Sequence, residues 1–221
     1  MNYMNEPKDS GYRGIHLVYR FCSPRAPASA YNGLKIEFQL RSQWQHAWAT
    51  TVETVGTFLG EALKASIGPD DWLRFFALMG SAIAMREKGT IVPNTPTDHD
   101  ELIEELNYYA DKLLVGQRLM GYANAVQTVE TRVQNAHYFL LVLDPAKKEL
   151  AVTGFEREKL EDAQKAYAEA ERRVKEKLAT DAVLVSVDSI SSLSRAYPNY
   201  YADTSMFLTL LNEALNGLRH G

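Results

Sequence analysis

Two short stretches near the N-terminus alternate between apolar and polar residues, and each predicts a β-strand whose two faces differ. In residues 34–41 the even positions are all apolar, and the odd positions are Lys35, Glu37, Gln39 and Arg41. In residues 11–21 one face is apolar from Ile15 to Phe21, and the opposite face carries Tyr12, His16 and Arg20. If both strands lie in one sheet over one core, their polar faces point the same way.

The predicted polar patch combines a carboxylate, an amide, an imidazole, an aromatic ring and several cations, a set that suits a phosphorylated nucleoside. Residues 1–41 hold six Lys/Arg against three Asp/Glu, a net charge of +3, whereas the rest of the chain holds 18 against 25, a net charge of −7. This asymmetry fits an anionic ligand near the N-terminus. The solvent-facing side of a half-buried sheet is the alternative interpretation of the same pattern.

The chain of 221 residues, 46% of them hydrophobic, is long enough to bury a core as one large domain or two small ones. The sequence contains neither an apolar run of membrane-spanning length nor a recognisable signal peptide, so it predicts a cytoplasmic protein without a membrane partner. Cys22 is the one cysteine, which excludes an internal disulfide and a thiolate cluster for zinc.

Apolar residues at intervals of three and four predict two helices, over about residues 43–64 and 70–87, and we expect them to cover the apolar face of the sheet. A third helical pattern, from Asp98 to about Arg132, is long enough to link two modules. The remainder predicts a small ββαβα module, made of a hairpin over 138–155, a helix over 156–179, a strand over 182–187 and a helix over 204–218.

The expected fold class is therefore α/β in the broad sense, of the α+β kind, with a mixed β-sheet covered by helices. A long linking helix would join this part to the C-terminal module. We expect three parts, over residues 1–90, 91–135 and 136–221.

Four short segments within residues 1–56 resemble, in the right order, the second half of the RelA/SpoT synthetase domain. They are Pro7-Lys8, Gly11-Tyr12-Arg13-Gly14-Ile15-His16, Glu37-Phe38-Gln39-Leu40-Arg41-Ser42 and His46-Ala47-Trp48-Ala49. That family transfers pyrophosphate from ATP to the 3′-hydroxyl of a nucleotide. The resemblance implies a partial nucleotidyltransferase-like synthetase fold for residues 1–90. It also implies that Tyr12 stacks on the acceptor base and that Lys8, Arg13 and His16 bind the acceptor's phosphates or ribose.

Transfer to a hydroxyl needs a base or a metal-bound carboxylate beside that hydroxyl, and cations that hold the phosphates. Glu37 is the only carboxylate on its strand face, and it is our candidate for activating the 3′-hydroxyl, directly or as a ligand of Mg²⁺. Gln39 and Arg41 would orient Glu37 and the nearby phosphates. In RelA/SpoT synthetases the residues that hold ATP precede the acceptor loop. We therefore expect a truncated gene product or a shortened chain that does not perform the transfer alone.

A second resemblance lies near the C-terminus, where Tyr197-Pro198-Asn199-Tyr200 is similar to the YxxY segment of CapRel-type proteins. These fuse a toxic synthetase to an antitoxin-like domain. The resemblance implies that residues 136–221 are regulatory, and that Tyr197 and Tyr200 plug the ATP site until a phage capsid protein binds. It also implies the 3′ CCA end of tRNA as the acceptor. A tyrosine-rich turn that merely packs before a helix is the alternative.

Three functions stay open at this point. The first is the acceptor half of a restrained pyrophosphokinase acting on tRNA, and the second is a fragment of a synthetase that uses GDP or GTP to make guanosine tetra- or pentaphosphate. The third is a non-catalytic module that senses a nucleotide or a protein. The sequence does not predict the oligomeric state.

Overall fold

The computed structural model describes residues 1–63, 66–132, 136–144, 149–176, 181–188, 190–191 and 200–216. The fold is α+β, as expected from the sequence. The expectation of a mixed sheet is wrong, because the strands in the described part of the chain form two separate antiparallel sheets. No helix within the described ranges has the length and apolar character needed to cross a membrane.

The strands are β1 (Ile15–Arg20), β2 (Lys35–Leu40), β3 (Tyr138–Asp144), β4 (Glu149–Phe155) and β5 (Asp181–Ser186). The helices are α1 (Gln43–Leu59), α2 (Asp70–Arg86), α3 (His99–Lys112), α4 (Val115–Arg132), α5 (Leu160–Lys175) and α6 (Tyr200–Leu215). One sheet is the hairpin β1-β2, and the other has the order β4-β3-β5. The ββαβα order of the C-terminal part is confirmed by these elements. The division of the chain into three parts stays a prediction.

The register of the first hairpin confirms that the two polar strand faces coincide. β1 and β2 are antiparallel, with His16 opposite Gln39 and Val18 opposite Glu37. Residues directly opposite one another in an antiparallel pair point to the same face of the sheet. The polar residues of both strands therefore share one face, together with Val18, and the other apolar residues share the opposite face.

Helix α1 begins directly after β2 because Ser42 caps it. The Ser42 hydroxyl accepts from the backbone N–H of Gln45, and the Gln45 side chain accepts from the backbone N–H of Ser42. Such a reciprocal pair satisfies two N–H groups that the first helical turn leaves unpaired. The helix ends at Gly60, whose φ of +69° is a conformation that glycine adopts without strain. Helix α1 is therefore shorter than the expected span of 43–64.

The expectation of one long linking helix is wrong, because two helices occupy that stretch. Helix α3 ends at Lys112 and α4 begins at Val115, with Leu114 between them at a φ of +50°. A residue in the left-handed region cannot continue a right-handed helix. Leu113, Val115 and Leu119 are all buried on either side of this break. The apolar period therefore runs on through it, which is why the sequence gives no sign of two helices.

The main core lies between helices from both ends of the chain. Trp48 of α1 packs edge-to-face on Phe76 of α2, and Phe207 of α6 contacts both Phe75 and Phe76. The Thr50 hydroxyl of α1 donates to the Asp203 carboxylate of α6 over 3.2 Å. The last helix is therefore built into the same core as the first.

The apolar face of the β1-β2 hairpin is exposed, so the expectation that α1 and α2 cover it is wrong. Its large side chains keep 36–55% of their surface accessible, namely Leu17, Tyr19, Ile36, Phe38 and Leu40. The physical reason is that α1 and α2 turn their apolar stripes towards each other and towards α3, α4 and α6. A period in the sequence shows that a face is apolar, but it does not identify the partner that the face packs against.

Candidate functional site

The loop before β1 is folded tightly against α2, and this packing positions the first site residues. Gly11 lies so close to Gly80 that a β-carbon on Gly80 would come within 2.7 Å of the Gly11 carbonyl oxygen. Gly11 itself has a φ of +93°, and its N–H donates to the Lys8 carbonyl over 2.9 Å. The resulting turn brings Lys8 and Tyr12 to the same end of the hairpin.

Arg13, in the same loop, is directed away from the other predicted site residues. Only 2% of Arg13 is exposed, and its guanidinium pairs with the Glu87 carboxylate at 2.8 Å. Glu87 also accepts from the Ser42 hydroxyl and, over 2.6 Å, from the Gln45 side chain. Arg13 therefore ties the loop to the start of α1 and the end of α2. The structure does not bring it to the acceptor-binding set in which the sequence placed it.

Five of the other predicted site residues form one connected network, which we call the polar-face cluster: Tyr12, His16, Glu37, Gln39 and Arg41. The Tyr12 hydroxyl lies 2.6 Å from His16 Nε2, and His16 Nδ1 lies 2.7 Å from Glu37 Oε1. The Gln39 amide donates to Glu37 Oε2 over 3.1 Å, and Arg41 donates to Gln39. Hydrogen bonds thus join a ring, an imidazole, a carboxylate, an amide and a guanidinium in sequence.

The hydrogen bonds of the network favour the ionised form of the Glu37 carboxyl. The hydrogen bond from Gln39, followed by that from His16, holds the pKa of the Glu37 carboxyl below its usual value. An ionised carboxylate accepts hydrogen bonds only, so His16 donates through Nδ1–H. In the neutral imidazole, Nε2 is then an acceptor for the Tyr12 hydroxyl. Glu37 therefore selects the tautomer of His16.

Two cations lie against the ring that was expected to stack on a base. Lys8 Nζ lies 5.4 Å and Arg41 Cζ 5.3 Å from the centre of the Tyr12 ring, which is only 3% exposed. A base can therefore stack on Tyr12 only after one of these cations moves. The sequence reasoning overlooked Tyr3, whose ring packs edge-on against both Tyr12 and His16. A single tyrosine ahead of the motif carries no periodic signal.

The cluster opens onto a cleft of about 440 Å³ beside α1. One wall carries Lys8, Tyr12, His16, Gln39 and Arg41. Glu37 is hydrogen-bonded to two of these lining residues, His16 and Gln39, and its own side chain is 43% exposed. The other wall comes from α1 and the residues after it, namely Val52, Glu53, Gly56, Glu61, Ala62 and Leu63. Sequence reasoning missed this second wall, because a helical period does not show which side chains face a neighbouring sheet.

Among the described residues, no group of three or more His, Cys, Asp and Glu side chains is placed to hold a metal ion. Glu37 keeps lone pairs beyond the two hydrogen bonds that it accepts, so it can supply one metal ligand. Mg²⁺ is commonly held by one or two carboxylates together with substrate phosphates and water. The cluster therefore fits a magnesium ion shared with a phosphorylated ligand, and it does not form a site made of protein ligands alone.

The two tyrosines of the C-terminal motif are mostly beyond what the structure describes. Tyr197 lies outside the described residues, and Tyr200 is known only as the first residue of α6. Three residues further on, the Asp203 carboxylate lies 3.3 Å from His46 Nε2 of α1. The start of α6 is thus attached to the first turn of α1, the helix that directly follows β2.

Comparison with known proteins gives no assignment, since no family model and no curated protein matches this chain. The resemblance to RelA/SpoT synthetases therefore depends on the motifs alone.

Proposed function

We propose that the polar-face cluster holds the acceptor of a pyrophosphate transfer from ATP to a nucleotide 3′-hydroxyl, the reaction of RelA/SpoT synthetases. The main support is the continuous hydrogen-bonded chain from Tyr12 through His16 to Glu37 beside a cleft with two cations. Pockets for small ligands and cofactors commonly measure about 300–1,000 Å³, so a cleft of 440 Å³ is of suitable size. The ATP donor would bind elsewhere.

Each residue has a distinct part in this proposal. Lys8 and Arg41 neutralise the acceptor's phosphates. Glu37 is a weak general base at neutral pH because its pKa is lowered, so it serves better to orient the hydroxyl than to remove its proton. His16, whose ring Glu37 orients, is the better proton acceptor once the Tyr12 hydroxyl moves from Nε2.

Magnesium belongs to the same proposal. A bound Mg²⁺ would neutralise phosphate charge and hold the reacting groups in line. Glu37 would supply one of its ligands, and the substrate phosphates and water would supply the rest. Gln39 keeps Glu37 in position for this contact through its hydrogen bond to Oε2.

The C-terminal part is proposed to restrain the enzyme. The support is that α6, which begins at Tyr200 of the YxxY segment, contacts α1 through Asp203 and α2 through Phe207. A signal that alters α6 would therefore act on the helix that forms one wall of the cleft.

A titration with GDP, GTP and a CCA-ended tRNA tests acceptor binding and identifies the acceptor. Lys8→Ala and Arg41→Ala should each weaken binding about tenfold, because each removes a charge-assisted contact with a phosphate. Lys35→Ala is the matched control. It removes a cation of β2 at the end of the strand that is farther from the cleft, where Lys35 is paired with Arg20. Equal losses in all three variants would indicate nonspecific attraction to a basic surface and would contradict the proposal.

A non-catalytic sensing module is the second candidate, and the closed arrangement around Tyr12 favours it. Both Glu37 oxygens and His16 Nε2 already have partners, and Tyr12 is buried. Glu37→Gln separates the two functions in a transfer-competent form of the protein. The pyrophosphokinase proposal expects the loss of transfer with binding largely intact. Unchanged transfer in Glu37→Gln would remove Glu37 from the mechanism.

A further inference from the structure

We propose that the C-terminal sheet binds an extended peptide segment of a partner protein, which adds a strand to the outer edge of β5. The strand order is β4-β3-β5, and β5 pairs with β3 from Asp181 to Ser186. No described strand lies on its other side. An edge strand presents backbone N–H and C=O groups at every second residue, and such a row is a template for a further strand.

A cleft of about 800 Å³ follows this edge. Five consecutive residues of the strand, from Ala182 to Ser186, line it. Successive side chains of a strand point to opposite faces, so a cleft that all five residues reach runs along the edge and not over one face. The five residues span about 17 Å.

Two helices form the walls of this β5 cleft. One wall is the end of α1, from Thr57 to Gly60. The other is a stripe along α5 that consists of Leu160, Gln164, Tyr167, Glu171 and Val174. From Leu160 to Val174 this stripe extends about 21 Å, at 1.5 Å per residue. The wall is therefore as long as the strand, and the cleft can take five or six residues in extended form.

The lining indicates which peptide the cleft accepts. Phe58, Leu59 and Leu160 offer apolar surface, and Tyr138 and Tyr167 offer rings with polar ends. Glu171 is the one charged residue among the lining side chains. The fitting segment therefore has apolar residues at alternate positions and a Lys or Arg that meets Glu171.

A partner peptide suits this edge better than a second copy of the chain. The β5 edge lines a cleft together with α1 and α5, and β5 contacts both helices. In a second copy the same two helices would flank the approaching strand, so helices would collide before the strands could pair. A single extended segment does not meet this obstacle.

Fluorescence anisotropy with a synthetic peptide tests the proposal. The probe is fluorescein-labelled Lys-Val-Thr-Val-Thr-Val. Two N-methylated series of this peptide carry methyl groups on alternate backbone amides, and the two series differ in which set of amides is methylated. We expect the labelled peptide to bind, one series to bind at least about tenfold more weakly, and the other to bind nearly unchanged. Absence of binding, or equal behaviour of the two series, would overturn strand addition.

Two charge reversals on α5 test whether the peptide binds in the cleft. Glu171→Lys should weaken the binding of the peptide that carries Lys about tenfold, and it should strengthen the binding of a peptide that carries Glu in place of that Lys. Glu169→Lys reverses a charge on the same helix at a position that does not line the cleft, so it should leave both affinities unchanged. An equal effect of both reversals would overturn the proposed location. So would sedimentation showing a dimer that Glu171→Lys dissociates, because a second copy would then occupy the edge.

Discussion

At the scale of single residues, the polar-face cluster depends on one carboxylate that accepts hydrogen bonds from two neighbours. Glu37 accepts from Gln39 and His16, and the lowered pKa of its carboxyl follows from those two hydrogen bonds. A group whose pKa is lower in the folded chain stabilises the fold above its ordinary pKa. That contribution disappears as the pH falls through the lowered value. Acid should therefore weaken the hydrogen bonds that Glu37 accepts within the cluster.

Replacing Gln39 tests this arrangement directly. Gln39→Ala removes the hydrogen bond that lowers the pKa of the Glu37 carboxyl most, so this pKa should rise towards its usual value. The measurement is a carbon-detected NMR titration of the Glu carboxyls. Gln117→Ala, on the exposed surface of α4, is the control and should leave that pKa where it is. An unchanged Glu37 titration in Gln39→Ala would show that the Gln39 hydrogen bond does not lower the pKa of the Glu37 carboxyl.

Alternation predicted the cluster residues on β1 and β2 because a strand assigns each side chain to a face. It could not place Arg13, which precedes β1 in a loop whose direction is set by packing against α2. It also could not find Glu87, since the ion pair with Arg13 joins residues 74 positions apart. Contacts of that kind arise only from the folded chain.

At the scale of elements, one aromatic side chain anchors α6 to α2. Phe207 is 0% exposed and packs against Phe75 and Phe76 of α2. Phe207→Ala should lower the free energy of unfolding by about 3–5 kcal/mol, because it removes buried apolar surface and leaves a cavity. Chemical denaturation followed by circular dichroism measures this change.

The control for this prediction lies on the same helix. Thr209 is exposed, so Thr209→Ala should change the free energy of unfolding by no more than about 0.5 kcal/mol. A loss below about 1 kcal/mol in Phe207→Ala would mean that α6 is not part of the central core, in conflict with the packing described above.

The helices and strands themselves follow from the local sequence pattern, but the elements that they pack against do not. The strands and α2 were predicted from period alone, whereas the ends of α1, α5 and α6 lie three to five residues from the expected bounds. The break at Leu114 was not, because it depends on one backbone angle within a continuous apolar period. The exposed apolar face of the β1-β2 hairpin was not predictable either, since sequence periodicity does not tell which helix covers which strand.

At the scale of the whole molecule, the C-terminal helix contacts a helix that lines the N-terminal cleft. Helix α6 touches α1 at Thr50 and His46, and α1 also forms one wall of the cleft through Val52 and Glu53. Contacts at long sequence separation such as these create the regulatory coupling that we propose. A single sequence offers only the YxxY resemblance as a hint of them.

The most direct test of the central claim is an ¹H–¹⁵N NMR titration of the chain with GTP and with a CCA-ended oligonucleotide. For the tighter ligand, we expect the backbone signals of Tyr12, His16, Glu37 and Gln39 to shift together. The signals of Ala182 to Ser186, in the β5 cleft, should stay in place. No shifts in the polar-face cluster with either ligand, or shifts confined to β5, would contradict the proposal that this cluster holds the acceptor.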